Sequence, residues 1–281
     1  MSDPLPKPIV STEWLAAHLG EPSLVVLDAS WYLAAMQRDP QAEFLAGHIP
    51  GALFWDLDRL SDQHTALPHM LPDSDRLARE IGGLGIGNSD RVVVYDGSGI
   101  NLSAPRVWWT FRVMGHDEVA VLDGGLTRWK AEGRALQPGM VTRAPARFAP
   151  RPRPSLVKSQ QEAQRAQVVD ARSRGRFEGT EPEPRPGLRG GHIPGSRSLP
   201  FAELVTADGT LLAPPELRNR YAQAGVDLSR PIVASCGSGV TACALVLGLF
   251  RLGIEDAAVY DGSWSEWGRP GGPPIEQGPP Q

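Results

Sequence analysis

The chain reads as an α/β protein made of two tandem domains, each a mainly parallel sheet with helices on both faces. Three observations predict this. Short apolar, β-branched runs alternate with stretches of helical periodicity, the pattern of a parallel sheet covered on both sides. The same order of elements is written twice: G-H-I-P-G stands at 47–51 and again at 191–195, Y-D-G-S-G-I at 95–100 answers S-C-G-S-G-V at 235–240, and L-D-G-G-L at 122–126 answers Y-D-G-S-W at 260–264. A repeat of this length is a duplicated domain and not a solenoid unit. Between the copies lies a Pro- and Arg-rich stretch, R-A-P-A-R-F-A-P-R-P-R-P, within a chain of 281 residues, long enough for two ordinary domains.

Taken in order, the first copy occupies 8–136. Leu24–Asp28 is a strand, and Asp73–Gly82 is an amphipathic helix with Ser74 as its cap. Arg91–Tyr95 is a strand, Ala104–Met114 a helix rich in Trp and Val, Val119–Leu122 a strand and Leu126–Glu132 a last helix carrying Trp129. Residues 137–160 form a proline-stiffened linker. Its arginines are interleaved with prolines, so we read it as a bridge and not as a polyanion patch. The second copy occupies 161–275: Val168–Asp170 is a strand, Glu216–Ala224 a helix, Ile232–Ser235 a strand, then a helix to about Leu252, the strand run Ala257–Asp261, and Trp267 in the place of Trp129. The Gly- and Pro-rich tail after Gly268 is expected to fray.

Composition removes several function classes. Apolar residues make up 41% and charged residues 21%, enough for packed cores, and the net charge of −4 gives no reason to expect nucleic acid or an anionic membrane as partner. No apolar run is long enough to span a bilayer, and the start, M-S-D-P-L-P-K-P, has no apolar signal core. Two cysteines, Cys236 and Cys243, cannot staple a secreted fold, so the expected compartment is the reducing cytoplasm. Cys243 falls inside the apolar helix and reads as core.

The chemistry concentrates at 231–242, P-I-V-A-S-C-G-S-G-V-T-A. A strand ends at Ser235, two glycines follow within three residues of Cys236, and a helix begins with Val240, Ala244, Val246 and Leu247 on its apolar face. A tight loop between a strand end and a helix N-terminus gathers backbone N–H groups on one point, which favours an anion, and here that anion is a cysteine thiolate. In parallel sheets, sites form at the carboxyl ends of the strands. The first copy places Asp96 opposite Cys236, and an aspartate there cannot act as a sulfur nucleophile, so catalysis belongs to the second copy.

C-G-S-G-V-T-A resembles the active-site loop of the mercaptopyruvate sulfurtransferases, within the rhodanese superfamily. W-Y-L near 31, H-M-L-P at 69–72, S-A-P-R-V-W-W at 103–109, L-D-G-G-L at 122–126, E-P-E-P-R at 181–185 and Y-D-G-S-W at 260–264 fit the same family. The resemblance implies two tandem rhodanese-like domains, only the second of them catalytic. It implies that Cys236 takes sulfur from 3-mercaptopyruvate as a persulfide, releases pyruvate, and passes the sulfur to cyanide or to a thiol such as thioredoxin or glutathione. Thiosulfate-using members carry basic residues where Gly237 and Ser238 stand, so the neutral loop fits mercaptopyruvate better.

By the same resemblance, Gly237, Gly239, Val240 and Thr241 line the substrate. Arg176 and Arg185 bind its carboxylate and keto oxygen, a task suited to the planar guanidinium fork. Taken alone, the two arginines could equally be solvated partners of Glu178, Glu181 or Glu183. His48 and His192 both sit in H-I-P-G, which points first to a structural turn. The resemblance nevertheless places His48 in a Ser238–His48–Asp39 proton relay, with Asp39 orienting the imidazole. Neither cofactor nor metal is required. The alternatives are a thiosulfate sulfurtransferase or a non-enzymatic persulfide carrier. A cysteine phosphatase of related fold would need an arginine where Ala242 stands.

Overall fold

The computed structural model describes residues 5–280; Met1–Pro4, where the N-terminal segment read above begins, and Gln281 lie outside the described residues. The chain packs as two compact units. The first comprises the chain up to Asp62, Pro72–Arg153 and Ala207–Leu211; the second comprises Gln63–Leu71, Pro154–Thr206 and the chain from Leu212 onward.

In the first unit β1 (Ile9–Val10), α1 (Thr12–His18), β2 (Leu24–Asp28), α2 (Pro40–Ala46), β3 (Leu53–Phe54), α3 (Leu57–Leu60), α4 (Ser74–Gly83), β4 (Arg91–Tyr95), α5 (Ala104–Val113), β5 (Val119–Leu122) and α6 (Gly125–Ala131) follow one another. The strands form a five-stranded sheet in the order β1-β5-β4-β2-β3, and every ladder is parallel. Both faces of β4 are buried, which is why it reads as an unbroken run, R-V-V-V-Y, without alternation. One side of the sheet packs Val26, Val93, Tyr95, Leu122, Phe44 and Trp129 into a single apolar cluster. The two-residue edge strands β1 and β3 carry too little pattern to be read from sequence. Asp73, and not Ser74, caps α4: its carboxylate accepts from the amides of Asp75 and Arg76. An aspartate at that position bonds two of the orphan amides at once and its charge suits the helix N-terminus.

The second unit repeats the plan with β6 (Val157–Lys158), α7 (Gln160–Ala163), β7 (Gln167–Asp170), α8 (Arg174–Glu178), β8 (Arg197–Ser198), α9 (Pro214–Gln223), β9 (Ile232–Ser235), α10 (Ala242–Arg251), β10 (Ala258–Tyr260) and α11 (Ser263–Trp267). The order β6-β10-β9-β7-β8 is the first sheet's order, again all parallel. α10 is apolar on nearly all sides and buried from Ala242 to Leu249, with Cys243 fully enclosed, as the sequence led us to expect.

Two segments depart from the sequence reading. Residues 137–153, read as a stiff bridge, belong to the first unit. They pack on the first unit, with Phe148 buried and backbone bonds from Ala146 N to Gly82 O, Arg151 N to Met114 O and Arg153 N to Val113 O. The buried aromatic and the satisfied amides outweigh the stiff, polar composition. The tail after Gly268 is also docked: His192 and Glu276 exchange backbone bonds, Trp267 Nε1 donates to Pro274 O, and Gly278 N donates to Glu178 O. Among the described residues, no helix is long and apolar enough to cross a membrane.

Candidate active site

The loop from Cys236 to Thr241 joins the central strand β9 to the buried helix α10. Gly239 makes its turn, at φ 76°, a backbone conformation that side chains resist. α11 anchors the loop from outside. Trp264 N donates to Cys236 O at 2.9 Å, and Ser265 donates to Gly237 O from both its amide at 2.8 Å and its hydroxyl at 2.6 Å. The Cys236 amide donates to Ser263 Oγ at 3.1 Å. Beneath the loop, Cys243 Sγ donates to Gly239 O at 3.3 Å. Cys236 is 2% exposed, and Ser238 and Val240 are buried.

The first unit shows what this kind of loop binds. Asp96, aligned with Cys236, turns its carboxylate into its own loop. Oδ1 accepts from Ser98 N at 2.9 Å and from Ser98 Oγ at 2.5 Å, and Oδ2 accepts from Ser103 N and Ala104 N at the start of α5, both at 2.9 Å. An anion thus sits where the amides converge.

Arg176, on α8, and Arg185, in the loop after it, both reach the cysteine loop. A Cβ built on Gly237 would lie 2.9 Å from Arg176 Nη2 and 3.8 Å from Arg185 Nη1. Arg176 is held by Glu183, Nη2 to Oε2 at 2.6 Å and Nε to Oε1 at 3.3 Å. The Glu183 side chain, 3% exposed, is in turn pinned by Arg172 Nη1 at 2.6 Å, and Arg172 is bound to the Asp170 carboxylate and lies over the Trp264 ring. Burial works against the Arg172 charge, but Asp170 and Glu183 override it and keep the guanidinium protonated. Sequence reasoning offered Glu183 only as a surface partner. Its role follows from burial: Arg172 and Arg176 both converge on its carboxylate, which fixes the Arg176 guanidinium beside the neutral cysteine loop.

The expected relay through His48 and Asp39 is not formed. His48 is fully buried, its ring stacked on Phe44 at 4.0 Å with Nδ1 bonded to Phe44 O at 2.9 Å, and its Nε2 has no hydrogen-bond partner. His192 does the same in the second unit, stacked on Phe177 at 3.7 Å with Nδ1 on Phe177 O at 2.8 Å. The structural reading of the H-I-P-G turn therefore holds for both copies. Asp39 caps α2 through Gln41 N and Ala42 N.

The imidazole that meets Ser238 is His69, whose Nδ1 lies 2.8 Å from Ser238 Oγ. It rides on the 63–71 segment of the second unit, 5% exposed and at φ 61°, fastened by Leu71 N donating to Asp261 Oδ2. The signal was present: H-M-L-P matched the family, and His69 is a histidine without a counterpart in the other copy. Thr241 stands at the start of α10 without a side-chain cap bond.

Comparison with known proteins bears on the fold and the family. The rhodanese-like domain family matches residues 11–132 and 153–269. The chain is 48% identical to a thiosulfate/3-mercaptopyruvate sulfurtransferase of Arabidopsis thaliana, described as mitochondrial, over 96% of this chain and 78% of the relative. It is 47% identical to the 3-mercaptopyruvate sulfurtransferase of Rattus norvegicus, over 92% and 91%. Among solved structures, SseA from Escherichia coli, a 3-mercaptopyruvate sulfotransferase of rhodanese fold, superposes with a TM-score of 0.84 at 38% identity, covering 92% of this chain and 99% of its own.

Proposed function

We propose that this chain, which belongs to the rhodanese family, is a sulfurtransferase that takes sulfur from 3-mercaptopyruvate onto Cys236. The observation that carries the reading is the convergence of the Arg176 and Arg185 guanidinium groups on Gly237, next to the cysteine, in a loop that has no cation of its own. Two forks suit an α-keto carboxylate, while the neutral Gly237 and Ser238 give a dianion such as thiosulfate no charged partner within the loop.

The steps follow from the groups in place. The substrate carboxylate and keto oxygen rest on Arg176 and Arg185. Cys236 Sγ, as thiolate, attacks the substrate sulfur. The S–S bond forms as the carbon–sulfur bond breaks, and the electron pair leaves on the pyruvate enolate, whose oxygen the guanidinium groups stabilise. The enolate carbon takes a proton, which we route through Ser238 Oγ and His69. The loop amides hold the terminal sulfur of the persulfide as Asp96 is held in the first unit. An acceptor thiolate then attacks that outer sulfur, Cys236 leaves as thiolate, and the acceptor carries the new persulfide. Thiols such as glutathione or thioredoxin fit this step, and cyanide would leave as thiocyanate. We place the chain in a reducing compartment such as the cytoplasm, where acceptor thiols stay reduced.

The test is pyruvate release from 3-mercaptopyruvate with a thiol acceptor. Wild-type protein releases pyruvate with turnover, Cys236→Ser releases none while keeping its melting temperature, and Cys243→Ser keeps most of the activity. A folded Cys236→Ser variant that still turns over refutes the reading, and a wild type loaded with sulfur only by another enzyme would make the chain a carrier.

A further inference from the structure

Ser263 stands out because its backbone is wrong for its side chain. It lies at φ 48°, in the left-handed region, where a residue with a Cβ is strained. The duplication supplies the control. Gly125 occupies the corresponding position in the first unit, at φ 55°, and glycine pays nothing there. A Cβ on Gly125 would also meet the Asp96 carbonyl oxygen at 2.6 Å. The two positions share one bond: Leu126 N donates to Asp96 O at 3.0 Å, and Trp264 N donates to Cys236 O at 2.9 Å. The copy with Asp96 has the comfortable residue, and the copy with Cys236 has the strained one.

The serine hydroxyl explains the difference. Fully buried, Ser263 Oγ accepts from the Cys236 amide at 3.1 Å and donates to Tyr260 O at 2.8 Å. It thus ties the backbone of the nucleophile to the end of strand β10. The amide bond on one side and the Trp264 N–Cys236 O bond on the other hold the Cys236 peptide groups at both ends. We propose that Ser263 is a positioning residue for the reaction: its strained conformation is kept because only a short hydroxyl side chain at that φ can lock the Cys236 backbone, and with it the direction of the thiolate. The inference rests on Cys236 being the nucleophile.

Two variants separate the hydroxyl from the strain. Ser263→Gly removes both, and Ser263→Ala removes the hydroxyl and keeps the strain. Both should lower kcat by about tenfold, the scale for a reacting group displaced by a fraction of an ångström, with KM for 3-mercaptopyruvate nearly unchanged because Arg176 and Arg185 are untouched. Alkylation of Cys236 by iodoacetamide should slow or speed by severalfold at fixed pH, a readout that simple loss of stability does not move. Ser263→Ala should melt several degrees below Ser263→Gly, because only alanine retains the left-handed penalty. Should Ser263→Ala fail to fold, Ser263→Gly carries the test, since Gly125 shows that glycine fits this frame.

Wild-type kcat and wild-type alkylation kinetics in folded Ser263→Gly would overturn the proposal. Cys236→Ser, run alongside, keeps the two readings apart. If it is inactive while Ser263→Gly behaves as wild type, only the positioning role falls. If Cys236→Ser turns over, the nucleophile itself was misassigned.

Discussion

Gly237→Ala tests the substrate site with one methyl group. The backbone accepts alanine, because Gly237 lies outside the left-handed region, unlike Gly239 at φ 76°. The new Cβ would stand 2.9 Å from Arg176 Nη2. Ordinary carbon–nitrogen contact needs about 0.5 Å more. Arg176 has little room to give, for Nη2 is fixed on Glu183 at 2.6 Å and Glu183 is fixed on the fully buried Arg172 at 2.6 Å. The guanidinium must therefore tilt away from the position it holds against substrate. A misplacement of 1 Å costs on the order of 100-fold, so half of that predicts roughly a tenfold loss in kcat/KM, equivalent to about 1.4 kcal/mol. The loss should fall mainly on KM, because the arginine grips the carboxylate before as well as during the reaction. Pyruvate release across a range of 3-mercaptopyruvate concentrations separates the two constants, and a thermal melt checks the fold. Gly239→Ala is the contrast, lowering the melting temperature because its φ is left-handed. If Gly237→Ala melts like wild type and keeps wild-type KM, Arg176 does not touch the substrate carboxylate and the site reasoning fails.

The remaining predictions concern the other groups. His69→Asn should reduce kcat at least about tenfold without shifting the melting temperature much, whereas His48→Phe should lower the melting temperature while the folded enzyme keeps its kcat; equal kinetic losses in both would restore His48 to the reaction. Arg185→Lys should raise KM about tenfold, since an ammonium cannot form the two-pronged contact, and unchanged Michaelis kinetics would place Arg185 outside the substrate site. His116, packed against Phe111 and Phe148, has its pKa lowered chiefly by burial, partly offset by the Glu118 and Asp90 backbone and by Asp117 and Glu118. The unfolded chain then takes up a proton below about pH 6.5 that the folded chain refuses. Stability should fall as pH drops from about 6.5, and His116→Phe should flatten the melting-temperature profile in that range; an unchanged slope would show that another group governs it.

Sequence and tertiary structure divided the problem at a definite place. The duplication, the α/β class, the central strands Arg91–Tyr95 and Ile232–Ser235, and the cysteine loop were all legible, because each depends on local pattern: apolar runs buried on both faces, glycines at a tight turn, one motif repeated. Asp96 opposite Cys236 was legible for the same reason. The short edge strands were not, since two residues carry no period. The stiff linker read as a bridge and the tail as frayed chain because their composition shows no packing, while Phe148 and Trp267 tie them down through contacts that composition does not reveal. The site residues split along the same line. Arg176, Arg185 and Cys236 lie on segments whose motifs name them, but what holds them does not show in the sequence. Glu183 became a buried clamp instead of a surface partner only because Arg172 and Arg176 converge on it. His69 replaced His48 because the chain carries 63–71 onto the second unit, where Leu71 bonds Asp261 and His69 meets Ser238. The strain at Ser263 is a backbone angle, which no residue type reveals. The sequence determined which chemical groups the protein owns; which of them meet depends on long-range packing, because a hydrogen bond requires both partners within about 3 Å and residue order alone does not set that distance.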